Sequence, residues 1–420
     1  MMANTTNQPD VIVIGGGPAG ATVSTILAQK GYAVELFERE HFPRFHIGES
    51  MIPNTYFPIQ RTGLLEKMKK SHFTKKHSVQ FINQHGKLSE PFFFWDNKPH
   101  ESSQTWQVRR SEFDQLHLDH ARENGVKVYE GARVLEVIFE GKRAVGVRVK
   151  PENEPEREVR SKVVIDASGQ STLIIDRFGL REWDPKLKKA ALWTYWKGAR
   201  RDTGRDKGAT LVIQTKGKTG WFWYIPLHDD IISVGVVADH DYLFKRGTKD
   251  PEAVYFEEVA NAPGLQLLIK DATRCDIFRI QKEYTYRAKQ AAGDGWCLVG
   301  DAFGFLDPLY SSGLLLAMQA GSMAADTIAE GIEKGDTSEA QLRKWEKPFL
   351  QGMDRIRRLV CEYYDGLSFG RFVKKHPHLK GLVTDVLIGD VFKDEVDVLW
   401  PLMDEMRAEQ GIPAYVPIGA

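Results

Sequence analysis

The N-terminal part of the chain shows short apolar runs separated by glycines. Residues 10–14, DVIVI, predict a buried strand and GGGPAG follows directly. ATVSTILAQKG then places Val23, Ile26 and Leu27 at helical spacing before Gly31, a residue suited to a C-cap. AVELFERE predicts the next strand. A strand, a tight turn, a helix and a strand in this order indicate the opening of a doubly wound α/β fold.

Strand patterns dominate the middle of the chain, and helical patterns dominate its end. Residues 115–124 predict a helix, and ARVLEVIFEGKRAVGVRVK with REVRSKVVIDASG predicts a three-stranded meander that turns at Gly141. Residues 188–240 are rich in strand pattern and aromatics, which predicts a second, antiparallel sheet. GWCLVGDAFGF predicts another buried strand and SSGLLLAMQAGSMAADTIAEGI a long helix; from about residue 335 the pattern is mostly helical.

The stretch GWFWYIPL, residues 220–227, is an unusually aromatic strand pattern. Side chains alternate between the faces of a strand, so Trp221, Trp223 and Ile225 should share one face, and Phe222 and Tyr224 the other. Taken alone, this pattern favours a strand in the core of a sandwich over a functional element.

Composition narrows the classes of function. The 420 residues carry 57 basic and 57 acidic side chains, and a net charge of zero argues against nucleic acid or an anionic membrane as partner. No stretch has the length of a spanning helix, and the polar N-terminus lacks the apolar core of a signal peptide. The three cysteines, Cys275, Cys297 and Cys361, are too few for a disulfide framework or a zinc site. We expect a soluble, reduced, cytoplasmic protein without a metal.

The glycine-rich turn matches the dinucleotide-binding pattern Gly15-x-Gly17-x-x-Gly20 between a strand and a helix. The first glycine allows the tight turn, the second lets a pyrophosphate approach the backbone, and the third lets helix and strand pack closely. The helix N-terminus offers free N–H groups to the phosphates. Glu38 ends the second strand, where an acid can accept hydrogen bonds from a ribose; an ordinary strand-end charge is the alternative.

A second signal distinguishes FAD from NAD. Gly300-Asp301 follows a buried strand, and an aspartate there can bond a ribityl hydroxyl, which FAD has and NAD lacks. These motifs, with VVIDASG around Asp166 and Gly169, resemble those of the flavoprotein monooxygenase superfamily. Arg110 in VRRSEFD resembles the flavin-contacting arginine of that group; a solvated charge at a helix start is the alternative. No second GxGxxG is present, so an NADPH-binding domain is not evident and reduced flavin has to come from outside.

DPLYSSGLLLAMQAG predicts a long helix after Pro308, with Ser311 or Ser312 as its N-cap. In the superfamily that this chain resembles, the positive end of this helix points at the pyrimidine side of the flavin ring and stabilises its reduced, negatively charged form. Free N–H groups near Ser312 and Gly313 are also suited to a small anion such as a halide. A plain capped core helix is the alternative.

Three motifs together resemble the flavin-dependent halogenases, over roughly residues 8–330. The signature W-x-W-x-I-P is matched by Trp221, Trp223, Ile225 and Pro226, and F-x-x-P-x-x-S-x-G by Phe305, Pro308, Ser311 and Gly313; FPRFHIGES adds Gly48, Glu49 and Ser50. The cofactor-binding residues implied are Gly15, Gly17, Ala19, Gly20, Glu38, Arg39, Glu49, Ser50, Arg110, Asp301, Pro308 and Gly313.

The resemblance implies a chemistry divided between two places. Reduced FAD, oxygen and a halide (chloride or bromide) give hypohalous acid, which passes through the protein to a lysine beside an aromatic substrate. The tryptophan strand resembles the barrier that keeps the substrate off the flavin, without which the ring would be hydroxylated. A separate flavin reductase is the implied partner.

The lysine is predicted from FTKKHSVQF, which resembles the family stretch F-x-x-K-x-G-A-x-F. Phe73 and Phe81 place the lysine at Lys76, although Ser78 stands where the family has glycine; Lys75 is the second choice. Without the family, two charges in a basic run predict a solvated face. Lys76 would bond hypohalous acid or become a haloamine, and so hold an electrophilic halogen beside the ring.

Tyr310 departs from the free-tryptophan halogenases, which carry a glutamate there and are longer. The departure points to the phenol or pyrrole branch, whose substrates are often tethered to an acyl carrier protein. The aromatic stretch 92–95, FFFW, could line the pocket or belong to the core. The rival functions are a flavin monooxygenase or isoprenoid double-bond reductase and, from another class, a non-catalytic flavin-binding scaffold.

The predicted fold class is α/β, with an FAD-binding Rossmann-like doubly wound domain, an antiparallel-sheet substrate domain and a helical C-terminal region. We expect the first part of the FAD-binding domain at 8–185, with a substrate-region insertion near 60–105. The antiparallel sheet is expected at 186–275, the second part of the FAD-binding domain at 276–334, and the helical region at 335–420.

Overall fold

A computed structural model describes residues 8–247 and 250–418 of the chain. The polar stretch 1–7, which underlies the expectation of no signal peptide, lies outside these residues. The strands are β1 (Val11–Ile14), β2 (Val34–Phe37), β3 (Thr74–Lys76), β4 (Ser78–Ile82), β5 (Phe92–Phe93), β6 (Thr105–Gln107), β7 (Lys127–Tyr129), β8 (Ala132–Glu140), β9 (Arg143–Pro151), β10 (Arg157–Arg160), β11 (Val163–Asp166), β12 (Arg181–Lys197), β13 (Thr210–Gln214), β14 (Gly220–Pro226), β15 (Ile231–Asp239), β16 (Thr273–Arg274), β17 (Arg279–Ala288), β18 (Ala292–Gly293), β19 (Trp296–Leu298) and β20 (Gly304–Phe305).

The helices follow the expected pattern, with the longest ones in the second half of the chain. They are α1 (Pro18–Gln29), α2 (Tyr56–Thr62), α3 (Leu65–Lys70), α4 (Arg110–Glu123), α5 (Leu173–Arg177), α6 (His240–Phe244), α7 (Pro251–Ala260), α8 (Pro263–Ile269), α9 (Gly313–Lys334), α10 (Glu339–Leu342), α11 (Glu346–Tyr364), α12 (Phe369–Lys375), α13 (Lys380–Ile388) and α14 (Leu399–Glu409). The helix expected at 115–124 begins earlier, at Arg110. Nowhere in the described ranges does a helix combine the length and apolarity that crossing a bilayer requires.

A six-stranded sheet forms the doubly wound part of the molecule, in the order β18-β19-β11-β1-β2-β7. Its pairs are parallel except for β18 with β19. Every residue of β1, β2 and β11 is buried, as expected for strands covered on both faces. The predicted α/β class is confirmed, and the carboxyl ends of these strands form the edge where such folds bind nucleotides.

The predicted meander is confirmed as the three-stranded sheet β10-β9-β8, with a turn at Gly141, whose φ is +63°. The stretch predicted to complete it divides in two. Residues 157–160 join the meander as β10, whereas 163–166 join the six-stranded sheet as β11. The reason is burial: β10 is mostly exposed, whereas β11 is an uninterrupted buried run.

The second large sheet has nine strands, in the order β20-β17-β12-β15-β14-β13-β4-β5, with β16 paired to β12. It is antiparallel except for β13 with β4. The sheet draws strands from outside the expected range 186–275, because β4 and β5 come from the region near 60–105 and β17 extends to residue 288. Two strands of the region expected to be an insertion, β4 and β5, therefore form one end of this sheet.

Candidate active site

A cavity of about 880 Å³ is bordered by residues of both large sheets and of α9. This volume lies within the range of cofactor and ligand sites. Fourteen of the predicted site residues line it: Gly15, Gly17, Ala19, Glu38, Arg39, Glu49, Ser50, Arg110, Trp221, Trp223, Ile225, Asp301, Pro308 and Gly313. Four predicted residues, Gly20, Lys76, Pro226 and Ser312, do not border the cavity. The motifs are spread over about 300 residues of chain, and the fold brings most of them to one space.

The glycine turn forms one end of the cavity. Gly15 has φ +103°, and a Cβ there would lie 2.5 Å from the carbonyl oxygen of Ala167. A Cβ on Gly20 would lie 2.0 Å from the carbonyl oxygen of Gly15. Gly20 therefore packs α1 against the turn, behind the cavity, while Gly17 and Ala19 face it. The N-terminal N–H groups of α1 are left for a ligand, since Gly17 at the N-cap has no side chain.

Glu38 and Asp301 place two acids on this cavity. Glu38 Oε2 accepts a hydrogen bond of 2.7 Å from the backbone N–H of Gly16, and Oε1 accepts one of 2.9 Å from Glu40. These bonds orient the carboxylate and leave lone pairs for a ribose hydroxyl. Burial raises the pKa of Asp301 to about 6. Asp166, in contrast, does not line the cavity; its oxygens accept from the backbone N–H groups of Ser168 and Ile174 and order the turn after β11.

Arg110, at the first position of α4, is buried rather than solvated. Its Nε and Nη2 donate to the two carboxylate oxygens of Asp114 at 2.8 and 3.0 Å, and Nη1 donates to the carbonyl of Ile47 at 2.6 Å. This bidentate pair fixes the guanidinium beside the cavity. The glycine turn, the acids and the fixed guanidinium together are donors and acceptors that fit FAD.

Glu49 carries an unpaired buried oxygen on the cavity. The Tyr195 hydroxyl donates to Glu49 Oε1 at 2.8 Å, whereas Oε2 has no hydrogen-bond partner within residues 8–247 and 250–418. Burial raises the pKa of this carboxyl to about 7. Most buried acceptors have a partner, and because Glu49 lines the cavity, a ligand donor is a candidate partner for Oε2. Tyr195 was missed by sequence reasoning because it lies 146 residues from Glu49.

The tryptophan strand, β14, shows the predicted alternation. Trp221, Trp223 and Ile225 line the cavity, and the side chains of the opposite face pack into a separate core. The Trp223 Nε1–H donates to Ser233 Oγ at 3.0 Å, which fixes the indole ring. Pro226 lies on the opposite face, against a small second cavity near Arg200 and Leu268, and does not line the large cavity with the two tryptophans.

A hydrogen-bond chain holds Trp221 from behind. Its Nε1–H donates to the Tyr364 hydroxyl at 2.8 Å, and that hydroxyl donates to Asp307 Oδ2 at 3.0 Å. Burial raises the pKa of Asp307 to about 6. Tyr364 ends α11, so the C-terminal helical region reaches the cavity lining through this tyrosine. Nothing in the sequence joins Tyr364 to Trp221, because the two residues are 143 positions apart.

Replacing Tyr364 with phenylalanine should destabilise the protein by about 1–3 kcal/mol, because the buried Trp221 Nε1–H loses its acceptor. Urea unfolding of the two proteins measures this. Tyr32→Phe is the control, because its hydroxyl bonds Ala329 and Glu333 near the surface, where water can replace it. If both variants lost the same free energy of unfolding, the hydrogen-bond chain from Trp221 to Asp307 would not stabilise the protein more than a surface hydrogen bond does.

Lys76 and Lys75 lie in different environments although they are adjacent in β3. Lys75 is exposed, whereas the side chain of Lys76 is buried. Lys76 Nζ donates to Ser50 Oγ at 2.8 Å and to the carbonyl of Met51 at 3.1 Å. Burial lowers the pKa of the ammonium to about 7. Lys76 is therefore not part of a solvated basic face, and one hydrogen bond joins it to a residue that lines the cavity.

The aromatic stretch 92–95 lies near this lysine and not on the cavity. Phe94 is buried, with its ring centroid 5.7 Å from Lys76 Nζ, while Trp95 is exposed. Phe94 therefore lies beside Lys76 and away from the FAD cavity, and the role of this stretch in a substrate pocket stays a prediction.

The depressed pKa of Lys76 makes stability depend on pH. In the unfolded chain the ammonium titrates near 10.5, and in the folded protein near 7. Between these values the unfolded chain holds the extra proton, so the lysine's contribution to stability is complete above 10.5 and is lost as pH falls towards 7. The melting temperature of the wild type minus that of Lys76→Met should therefore rise from about pH 7 to about pH 10. If the difference in melting temperature did not change over this pH range, the pKa of Lys76 would not be lowered in the folded protein.

The start of α9 differs from expectation in one respect. Ser312 occupies the N-cap position, but its side chain makes no capping bond, and Oγ is buried without a partner in the part of the chain described. Its φ and ψ, −81° and −13°, are helical, and this conformation turns the hydroxyl away from the N–H groups that a cap would bond. Ser311 precedes it with φ +57°. Gly313 lines the cavity, and a Cβ on it would meet no described atom within 4 Å other than those of its chain neighbours and of its own helix backbone.

Sequence and structure comparisons agree with this arrangement. The sequence model described as tryptophan halogenase matches residues 95–367, and that described as FAD dependent oxidoreductase matches residues 10–175. A flavin-dependent halogenase from Armillaria mellea is 36% identical over 358 residues, which are 81% of this chain and 69% of that protein. A brominase of 1H-pyrrole-2-carbonyl on a peptidyl-carrier protein, from Pseudoalteromonas luteoviolacea, is 34% identical over 92% of this chain and 93% of its own.

A solved flavin-dependent brominase has the same fold. It superposes with a TM-score of 0.83 at 32% identity, covering 96% of this chain and 98% of that one. The ranges matched by the two family models include the glycine turn, the tryptophan strand and α9. The chain therefore belongs to the flavin-dependent halogenase family, and it is an FADH2-dependent oxidoreductase with FAD as its cofactor.

Proposed function

We propose that this halogenase places chlorine or bromine on an electron-rich ring, a pyrrole or a phenol, with Lys76 as the group that presents the halogen. The observation that carries the proposal is the position of Lys76. It is a buried amine whose only described hydrogen bonds are to Ser50 and the Met51 carbonyl, and Ser50 borders the FAD cavity. An amine that is partly neutral near pH 7 can accept a halogen, whereas a solvated lysine stays protonated.

Different residues of the cavity bind the halide and the cofactor. Bound FAD, when reduced, supplies the chemistry that turns oxygen and a halide into hypohalous acid. The N–H groups near Ser312 and Gly313 hold the halide, and Glu38, Arg110 and Asp301 hold and orient the cofactor. The cofactor assignments rest on the cavity lining by Glu38, Arg110 and Asp301, and the halide assignment rests on Gly313, which lines the cavity; Ser312 is included because it adjoins Gly313.

The tryptophan strand separates the substrate from the cofactor. Trp221 and Trp223 fill the cavity side of β14, and their indole N–H groups are both hydrogen-bonded, which restricts the rings. Rigid indoles exclude a planar aromatic substrate from the flavin while a small oxidant can pass. Hypohalous acid then bonds Lys76, beside which the aromatic ring is held for attack on the halogen.

The substrate class is supported by the relatives. Two of them are named for 1H-pyrrole-2-carbonyl on a peptidyl-carrier protein, one as a chlorinase and one as a brominase. We propose a pyrrole or phenol carried in the same way. A separate reductase supplies the reduced flavin, which is consistent with a single GxGxxG motif in the sequence.

The test is turnover with chemically reduced FAD, oxygen and either bromide or chloride. The substrates are free phenols, free pyrrole-2-carboxylate and a pyrrolyl thioester on a carrier protein. Halogenated product from the thioester, and less from the free acid, is expected. Hydroxylated product without halogen, or turnover that needs only NADPH and no halide, would reject the proposal in favour of a monooxygenase or reductase.

A further inference from the structure

Three side chains outside the FAD cavity bring nitrogen and oxygen ligands together. His72 Nε2 lies 2.8 Å from Glu112 Oε2, and His228 Nε2 lies 3.0 Å from Glu112 Oε1. One ligand atom from each of the three residues lies within 4.8 Å of the others. Both imidazoles therefore point the same kind of nitrogen at one carboxylate. None of the three residues lines the cavity.

The cluster joins three segments that are far apart in sequence. His72 precedes β3, Glu112 lies in the first turn of α4, and His228 lies in the turn after β14. Each of these segments also carries a predicted site residue, namely Lys76, Arg110 and Trp223. The rings of His72 and His228 are 4.5 Å apart and perpendicular, and Phe73 packs 6.1 Å from the His228 ring. The ligands are thus held by packing as well as by hydrogen bonds.

The donor set is that of a transition-metal site. Two imidazoles and one carboxylate bind zinc in enzymes, with bonds of about 2.0–2.2 Å. Ligand atoms around a tetrahedral ion of that radius are about 3.4 Å apart. The two histidines bond different oxygens of Glu112, at 2.8 and 3.0 Å, and one ligand atom from each of the three residues lies within 4.8 Å of the others, so side-chain rotations have to bring them around one ion. Asp229 Oδ2 lies 3.5 Å from His228 Nε2 but is not one of the three grouped ligand atoms. Water can complete the shell, since His72 is exposed.

One neighbouring cation opposes a metal. Arg109 Nη1 lies 3.6 Å from Glu112 Oε1. The Arg109 side chain is about one third exposed, so its guanidinium can move into solvent when an ion arrives. Because Arg109 and the metal ion compete for the Glu112 carboxylate, a variant without the Arg109 guanidinium should bind the ion more tightly.

We propose that His72, Glu112 and His228 form a binding site for one divalent ion of the zinc class. The bound ion ties the segment before β3, the start of α4 and the turn after β14 to one another. The site is separate from the FAD cavity and does not depend on the substrate proposed above.

The experiment is calorimetric titration of the FAD-loaded full chain with zinc, in a buffer free of chelators and phosphate. One equivalent should bind, and the melting temperature should rise with zinc concentration. His72→Ala and, separately, Glu112→Gln should each lose at least about 10-fold in affinity, since losing an outer-shell partner alone costs about 10- to 100-fold. Arg109→Ala should bind more tightly than the wild type. Magnesium should bind none of these proteins at the same concentrations, because it prefers oxygen ligands.

His41→Ala is the matched control. His41 Nε2 also lies 2.7 Å from a glutamate, Glu152, with similar exposure to His72, but it belongs to no three-ligand group among the residues described. Zinc affinity should be unchanged in this variant. Equal affinity of the wild type and His72→Ala, or a loss with His41→Ala alone, would overturn the proposal. Because His72 is exposed, its variant should fold, and the FAD absorbance of the purified protein verifies that it does.

Discussion

Lys76→Met should lower the rate of halogenation by at least about 100-fold, a typical size for removal of a group that acts on the reacting atoms. Methionine has nearly the same length and is apolar, so it fills the buried space without a charge. The variant should still bind FAD, because Lys76 does not line the cavity. Product analysis with reduced FAD, oxygen and bromide, together with the flavin absorbance, measures both effects.

Lys75→Met is the matched control for this substitution. The two lysines are adjacent in β3, but the side chain of Lys75 is exposed while that of Lys76 is buried and bonded to Ser50. The control should keep its halogenation rate. Halogenation that persists in Lys76→Met, or is lost in Lys75→Met instead, would remove Lys76 from its proposed role and leave the family assignment unaffected.

The second large effect is expected at the glycine turn. Gly20→Ala should lower the melting temperature of the protein even without FAD, because the new Cβ would lie 2.0 Å from the carbonyl oxygen of Gly15. That atom belongs to the backbone and cannot rotate away. Forced overpacking typically costs about 1–3 kcal/mol, and a clash with backbone should reach the upper end of that range. Thermal unfolding after removal of the flavin measures this.

Gly17→Ala separates packing from binding. A Cβ on Gly17 would meet only Arg44 Nη2, at 3.6 Å, and would face the cavity. The stability of the flavin-free protein should therefore stay the same, whereas FAD affinity should fall by about 10-fold or more as the pyrophosphate is kept from the backbone. Titration with FAD and thermal unfolding of both variants give the two readouts. If the effects were exchanged between Gly17 and Gly20, the assignment of the turn would be wrong.

The tryptophan strand shows where a motif and a periodicity disagree. The W-x-W-x-I-P signature groups Pro226 with Trp221, Trp223 and Ile225, but alternation along a strand puts an even-numbered residue on the opposite face. The structure follows the alternation, and Pro226 lies away from the cavity. The alternation of side chains along the strand is enough to predict that Pro226 faces away from the cavity. Family signatures record which residues recur together, and this is not the same as which residues share a surface.

The amino-acid sequence by itself determined the doubly wound sheet, the nucleotide turn, the two faces of the tryptophan strand and the long helix after Pro308. These features depend on local rules, since glycine spacing, period-two alternation and helical spacing act over a few residues. Only the tertiary structure decided that Lys76 and not Lys75 is buried, that Tyr364 and Asp307 hold Trp221, and that the side chain of Ser312 caps nothing. The physical reason is that burial and hydrogen-bond partners depend on which distant segments meet. Trp221 and Tyr364 are 143 residues apart, and no periodicity in the chain records such a contact.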